Sequence, residues 1–209
     1  MRKPIRFLSL MLVVSILGCC ACSKKKSSKV THENLIQAAK NHGAEEADNI
    51  DIYNTVMKDL VRPNGNEINI CFTGKDSAQE NYDQFVNMYM GFPKITVKEL
   101  TVFTASDKTR ETFFFAIALT AKDEKQAKKF FENRNETFSD SPKYDSGETD
   151  GYTYAISYSD SDQVALDGVY LKDNTAMYVR CYFYLMTDDG VKAASEFYKD
   201  LGLISPCDL

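Results

Sequence analysis

Histidine is scarce in this 209-residue chain: His32 and His42 are the only two. Ten residues apart on one helix, they are separated by about 1000° of rotation and face different ways, whereas a helical zinc pair needs i, i+4 spacing. A thiol or hydroxyl nucleophile would have to borrow one of these two rings as its base, and nothing in the spacing supplies one. Outside the signal-proximal cluster Cys19, Cys20 and Cys22 there is no Cys-x-x-Cys, and Gly-x-Ser-x-Gly and the phosphate-cradling glycine loops are missing, which removes the common zinc, hydrolase and nucleotide-binding signatures. Asp160-Ser161-Asp162 begins like a calcium loop, but Val164 and Ala165 stand where an oxygen ligand and a glycine are required. Ser23 and Lys26 formally match a Ser-x-x-Lys pair in a stretch too polar to hold a site, and Asn135-Glu136-Thr137 matches a glycosylation triplet by composition alone. No metal, cofactor or catalytic residue is expected.

The apolar runs are short. Phe7–Leu17 is nearly all apolar and follows Arg2, Lys3 and Arg6. It falls well below the ~20 residues a spanning helix needs. A basic head, a short apolar run and a small residue make a secretory signal. Ile16-Leu17-Gly18-Cys19 resembles a lipobox, with Leu17 bulkier than usual, so residues 1–18 read as a cleaved signal and Cys19 as the diacylglyceryl-carrying residue. Cys20 and Cys22 have poorer triplets before them. Residues 19–30 read as the lipidated N-terminus and a basic tether, with Lys24, Lys25, Lys26 and Lys29, and residues 31–209 as one globular domain.

The signal holds three of the 25 Lys and Arg and none of the 30 Asp and Glu, so the mature chain carries about −8. Discounting the four tether lysines leaves about −12 on the domain. Such a domain is repelled by polyanions, which excludes nucleic acid as a partner. Of six cysteines, only Cys71, Cys181 and Cys207 lie in the domain, with no regular framework. Export permits a bond among them without requiring one.

Periodicity gives a helix over 32–43, capped by Thr31 and stopped by Gly43, and a half-buried strand over 67–73. A helix over 76–90 carries a stripe of Ala78, Tyr82, Phe85, Val86, Tyr89 and Met90. A strand over 95–105 precedes a second strand–helix unit, 112–120 and 123–138. The units at 67–90 and 112–138 look alike in pattern. Residues 44–65 are ambiguous, with a short helix at 51–61 conceivable, and 139–150 is polar enough for a loop. Strands at 151–158, 164–172 and 175–186, joined by short turns, form a meander, and a helix over 188–202 closes the chain. The sum is an α+β domain with a largely antiparallel sheet and helices packed on one face.

Seven of the 12 tyrosines fall between residues 152 and 184. On the strand over 175–186, Met177, Val179, Cys181, Phe183 and Leu185 form the face that must pack under helices. Tyr178, Arg180, Tyr182 and Tyr184 form the other, with Tyr170 on a neighbouring strand. Tyrosine joins a large apolar area to a polar tip and is enriched at interfaces. It also has high β propensity and pairs across wet sheet faces, which is the plainer explanation. These five residues are the candidate binding face.

Three segments carry a resemblance: the helix opening at Thr31-His32-Glu33-Asn34-Leu35, the strand at 112–120 running into Ala127 and Phe130-Phe131, and Tyr170-Leu171-Lys172-Asp173-Asn174-Thr175-Ala176-Met177-Tyr178-Val179 before the closing Leu201-Gly202. Together they resemble small uncharacterised lipoproteins of Gram-positive, clostridia-like bacteria. That resemblance implies attachment to the outer face of the cytoplasmic membrane and assigns no functional residue. The expectation is a non-enzymatic, membrane-tethered interaction domain binding a protein, peptide or envelope component. An enzyme with an unfamiliar carboxylate or thiol site is the alternative. A transporter's solute-binding subunit fits less well, since such proteins usually have two lobes.

Two acyl chains on one residue hold a protein stably, whereas lysine attraction to headgroups is screened by salt. Cys19→Ala should therefore abolish detergent-phase partitioning, with Cys20→Ala and Cys22→Ala unaffected. Release of the wild-type protein from membranes by a high-salt wash alone would contradict the lipobox reading.

Overall fold

The computed structural model describes residues 29–48, 68–106, 112–149, 151–160, 164–183 and 188–209. The lipobox with Cys19, the segment at 51–61, Leu185 and Tyr184 lie outside those residues. The elements run α1 (His32–Asn41), β1 (Glu45–Asp48), β2 (Ile68–Gly74), α2 (Ala78–Asn81, continuing as a π-helix over Tyr82–Tyr89), β3 (Val97–Ser106) and β4 (Thr112–Ala121). They continue with α3 (Glu124–Ser139), β5 (Lys143–Thr149), β6 (Tyr152–Asp160), β7 (Val164–Lys172), β8 (Thr175–Phe183), α4 (Asp188–Leu201) and a 3-10 turn at Pro206–Asp208.

The eight strands form one sheet in the order β1-β2-β3-β4-β8-β7-β6-β5. Every pairing is antiparallel except β1 with β2. The α+β class and the largely antiparallel sheet are therefore as expected. The helices are not on one face. One face carries α2 and α3, whose Tyr82, Phe85, Val86, Ala127 and Phe130 pack on Phe72, Val102, Phe115, Ile117, Val169 and Tyr178. The opposite face carries α1 and α4, whose Leu35, Ala39, Phe197 and Tyr198 pack on Cys71, Phe103, Ala118, Val179 and Cys181. The physical reason lies in β4 and β8. From Phe115 to Leu119 and from Ala176 to Val179 every side chain is buried, so neither face of the sheet centre can be left to water.

Three further departures are local. Residues 143–149, read as loop from their polarity, pair along β6 as the edge strand β5, where an outer polar face is acceptable. Glu45–Asp48, in the ambiguous stretch, adds the parallel edge β1. Val30, assigned to the tether, is buried against the α1–α4 core.

The cap at Thr31 follows the sequence reading, and the structure adds a second at Asp123. Thr31 accepts a hydrogen bond from the Asn34 amide at 3.1 Å, and Asp123 caps α3 by accepting from the Gln126 amide at 3.0 Å. Gly202 takes φ +63° where α4 ends, a conformation that suits glycine. Gly168 is required for another reason: a Cβ there would collide with the Tyr170 hydroxyl and ring. Tyr170 lies across it, donates to the Ile204 carbonyl at 2.6 Å, and with Tyr152, which accepts from the Ile204 amide, fixes the C-terminal segment.

His32 is wedged between β3 and β4, its ring nitrogens each 2.9 Å from the hydroxyls of Thr101 and Thr120. Burial lowers its pKa below the ordinary 6.5, against the pull of Glu99. A base with a depressed folded-state pKa binds fewer protons folded than unfolded. Its contribution is thus complete above pH ~6.5 and lost as pH falls through the lower value. His32→Asn should cost ~1–2 kcal/mol at neutral pH through two lost hydrogen bonds. In urea unfolding, the gap to wild type should narrow on acidification. A gap that widens below pH ~6 would overturn this assignment.

Candidate functional site

Register places two rows of side chains across the α2–α3 face. One row runs Ser106–Phe113–Tyr182–Ala165 over β3, β4, β8 and β7, and the next runs Thr104–Phe115–Arg180–Asp167. Strand pairing alone therefore gathers aromatic, hydroxyl and charged groups at one end of this face.

The charged centre is the cross-strand pair Asp167–Arg180. Asp167 is 5% exposed. Arg180 donates from Nη2 to its Oδ2 at 3.2 Å, and Arg180 Nε lies 3.0 Å from Oδ1, close enough for an ion pair but out of line for a hydrogen bond. The Tyr178 hydroxyl donates to Oδ1 at 2.8 Å. Burial pushes the Asp167 carboxyl upward, opposed by Arg180, by the Tyr178 hydrogen bond and by Arg134. Burial also works against the charge on Arg180, but Asp167 and Tyr178 outweigh it and leave the guanidinium raised. The two carboxylate oxygens are thus bound as they would be in an ionised pair.

Arg134, from α3, spans the two helices. It donates to the Met90 carbonyl at 3.2 Å, and its guanidinium sits 3.7 Å over Phe92 and 5.9 Å from the Tyr178 ring. Tyr178 also stacks on Phe138 and meets Phe92 edge-on.

Two cavities meet at this centre, and Arg180 and Tyr182 line both. The first, about 320 Å³, is walled by Phe85, Tyr89, Met90, Phe113 and Phe115, with Ser106. The second, about 470 Å³, is polar and runs under the end of α3 past Arg134, Asp140, Ser157, Ser159 and Asp167. The π-helical part of α2 supplies Phe85 and Tyr89 to the wall of the first, with Met90 at its C-terminal cap, and π segments recur at functional sites.

The candidate face does not exist as one surface. Tyr178 is 2% exposed beneath α3, and Tyr170 is fully buried on the opposite side of the sheet. Arg180 and Tyr182 remain together at the cavities, and Tyr184 is outside the described residues. Sequence reasoning missed Asp167, Arg134 and Ser106. Asp167 had a signal, as an acid in the middle of an otherwise apolar strand directly opposite an arginine; the other two had none.

Cys71, Cys181 and Cys207 are free thiols. Burial drives the Cys71 pKa to about 12 and that of Cys181 well above the ordinary range, which keeps both protonated and inert. Among the described residues no group of three or more His, Cys, Asp or Glu could hold a metal, and no helix is long and apolar enough to cross a membrane.

No family model and no curated protein matches the chain. Among solved structures, the extracellular domain of PknH from Mycobacterium tuberculosis is similar at 10% identity, covering 56% of this chain and 68% of that one, with a TM-score of 0.34. That overlap is too slight to carry fold or function.

Removing one member of a buried pair strands the other charge. Because the Arg180 side chain is 41% exposed, Asp167→Asn should cost ~2–3 kcal/mol, below the full buried-pair penalty. A double-mutant cycle with Arg180→Met, read by urea unfolding, should give a coupling energy above ~1 kcal/mol. Additive single and double variants would show the pair to be energetically idle.

Proposed function

We propose that this protein is a lipid-anchored, extracytoplasmic binding module, held to the outer face of the cell membrane through Cys19, whose ligand site is the double cavity at Arg180 and Tyr182. The observation that carries the reading is the first cavity: aromatic walls with a few polar groups gathered at one side, the usual composition of a small-ligand site. The tyrosine-face version is set aside, because helix α3 and the C-terminal segment occupy Tyr178 and Tyr170.

The reading keeps the domain non-enzymatic. Asp167 is committed to Arg180 and Tyr178, and the two most buried thiols are held protonated. Such a site is built to hold and orient a ligand rather than to move protons at neutral pH.

A ligand that binds only the folded state raises its stability by RT ln(1 + [L]/Kd). The full-length protein should therefore gain thermal stability in the presence of fractionated envelope extract. Ser106→Phe, which fills the cavity, should abolish that gain. The same shift in wild type and Ser106→Phe would sink the assignment of the site.

A further inference from the structure

The first cavity holds more than an apolar wall. Ser106 is 7% exposed, lines the cavity, and its hydroxyl has no hydrogen-bond partner among the described residues. Thr104, one step along the same face, is fully buried and its hydroxyl is likewise without a partner there. A buried hydroxyl without a partner is costly, and a ligand acceptor in the cavity would satisfy that of Ser106. Across the strands stands Arg180, whose Nε and Nη2 face Asp167. A guanidinium has five N–H donors, so part of its fork is left over after that pair. Arg180 is the one charged side chain lining the first cavity, while Asp167, Arg134 and Asp140 line the second. The polar end of the first cavity thus presents a guanidinium and the Ser106 hydroxyl, donors suited to one anionic group.

The rest of the cavity admits only apolar matter. Along its wall Phe113 stacks on Phe115, Phe115 meets Phe85 edge-on, and Tyr89 stacks on Phe85. Its ~320 Å³ lies at the small end of ligand cavities, far too small for a folded partner. Met88, 78% exposed, and Tyr89, 53% exposed, leave an apolar edge on the π-helical segment. Methionine adapts to flexible ligands, and Met90 lines the cavity beside that edge.

We infer that the cavity at Phe85, Phe113, Phe115 and Arg180 binds a single-chain amphiphile with one anionic head, the acyl chain lying among the phenylalanines and the carboxylate or phosphate taken by Arg180 and Ser106. This rests on the cavity being the ligand site, and it adds the ligand's class. A free fatty acid and a lysophospholipid share this chemistry.

The test uses the full-length protein in its membrane, exposed to a photoreactive, tagged fatty acid. Crosslinks should map to residues 85–90 and 113–115. Decanoate and a lysophosphatidate of the same chain length should compete, and the stronger competitor identifies the head; decanol should not. Competition should strengthen about fourfold per added methylene until the cavity is full. Arg180→Gln should weaken labelling about tenfold, and Arg180→Lys, which retains the charge, less. Ser106→Ala, which disturbs packing least, should weaken it severalfold and guards against misfolding of the arginine variants. Decanol competing as well as decanoate overturns the anionic amphiphile while leaving the cavity as a site, provided Ser106→Phe still blocks labelling. Labelling undiminished in Ser106→Phe overturns both readings.

Discussion

Strands β4 and β8 run side by side at the centre of the sheet, and their side chains alternate between two cores with no solvent face between them. Burial of large apolar side chains stabilises a domain by roughly 25 cal/mol per Å², and only a helix layer on each side removes water from both sets at once. That requirement distributes the helices. Those that follow β2 and β4 cover one face, and the first and last helices of the chain cover the other. The first and last described helices are then tied together where Asn34 of α1 donates to the Leu201 carbonyl of α4.

The cavities follow from the same arrangement. The two helices on this sheet face leave cavities beside Phe85–Met90 and beneath the end of α3, and the cross-strand rows decide what chemistry lines them. Here the rows bring Ser106, Phe113, Arg180, Tyr182 and Asp167 to those cavities. Asp167 could not sit there unpaired, so the arginine opposite serves the fold as well as the site. Arg134 bridges the helices through the Met90 carbonyl, coupling the π-helical wall to α3.

Most elements were legible in the sequence, because amphipathic helices and alternating strands leave a period. Helix ends at Gly43 and Gly202 and the cap at Thr31 read directly. Layering did not. Tyr178 carries a polar tip, so β8 read as half wet, although the hydroxyl is satisfied inside the protein by Asp167 and the ring packs beneath Phe138. Tyr170 misled in the same way, with its hydroxyl spent on the Ile204 carbonyl. Strand β5 was hidden by polarity, which an edge tolerates. Of the candidate face, Arg180 and Tyr182 belong to the site and Tyr170 and Tyr178 to the cores. Long-range pairing separates them, and no local pattern records it.

Whether the sheet is covered on both faces is the point on which site and fold both turn, and tyrosine reactivity reads it directly. Treating the native protein with a water-soluble tyrosine-modifying reagent and mapping the products by mass spectrometry should show Tyr89 modified readily. Tyr170, Tyr178 and Tyr198, all buried, should stay unmodified until the protein is unfolded. Modification of Tyr178 and Tyr170 in the native state at a rate close to that of Tyr89 would contradict the two-faced packing and the cavity built on it.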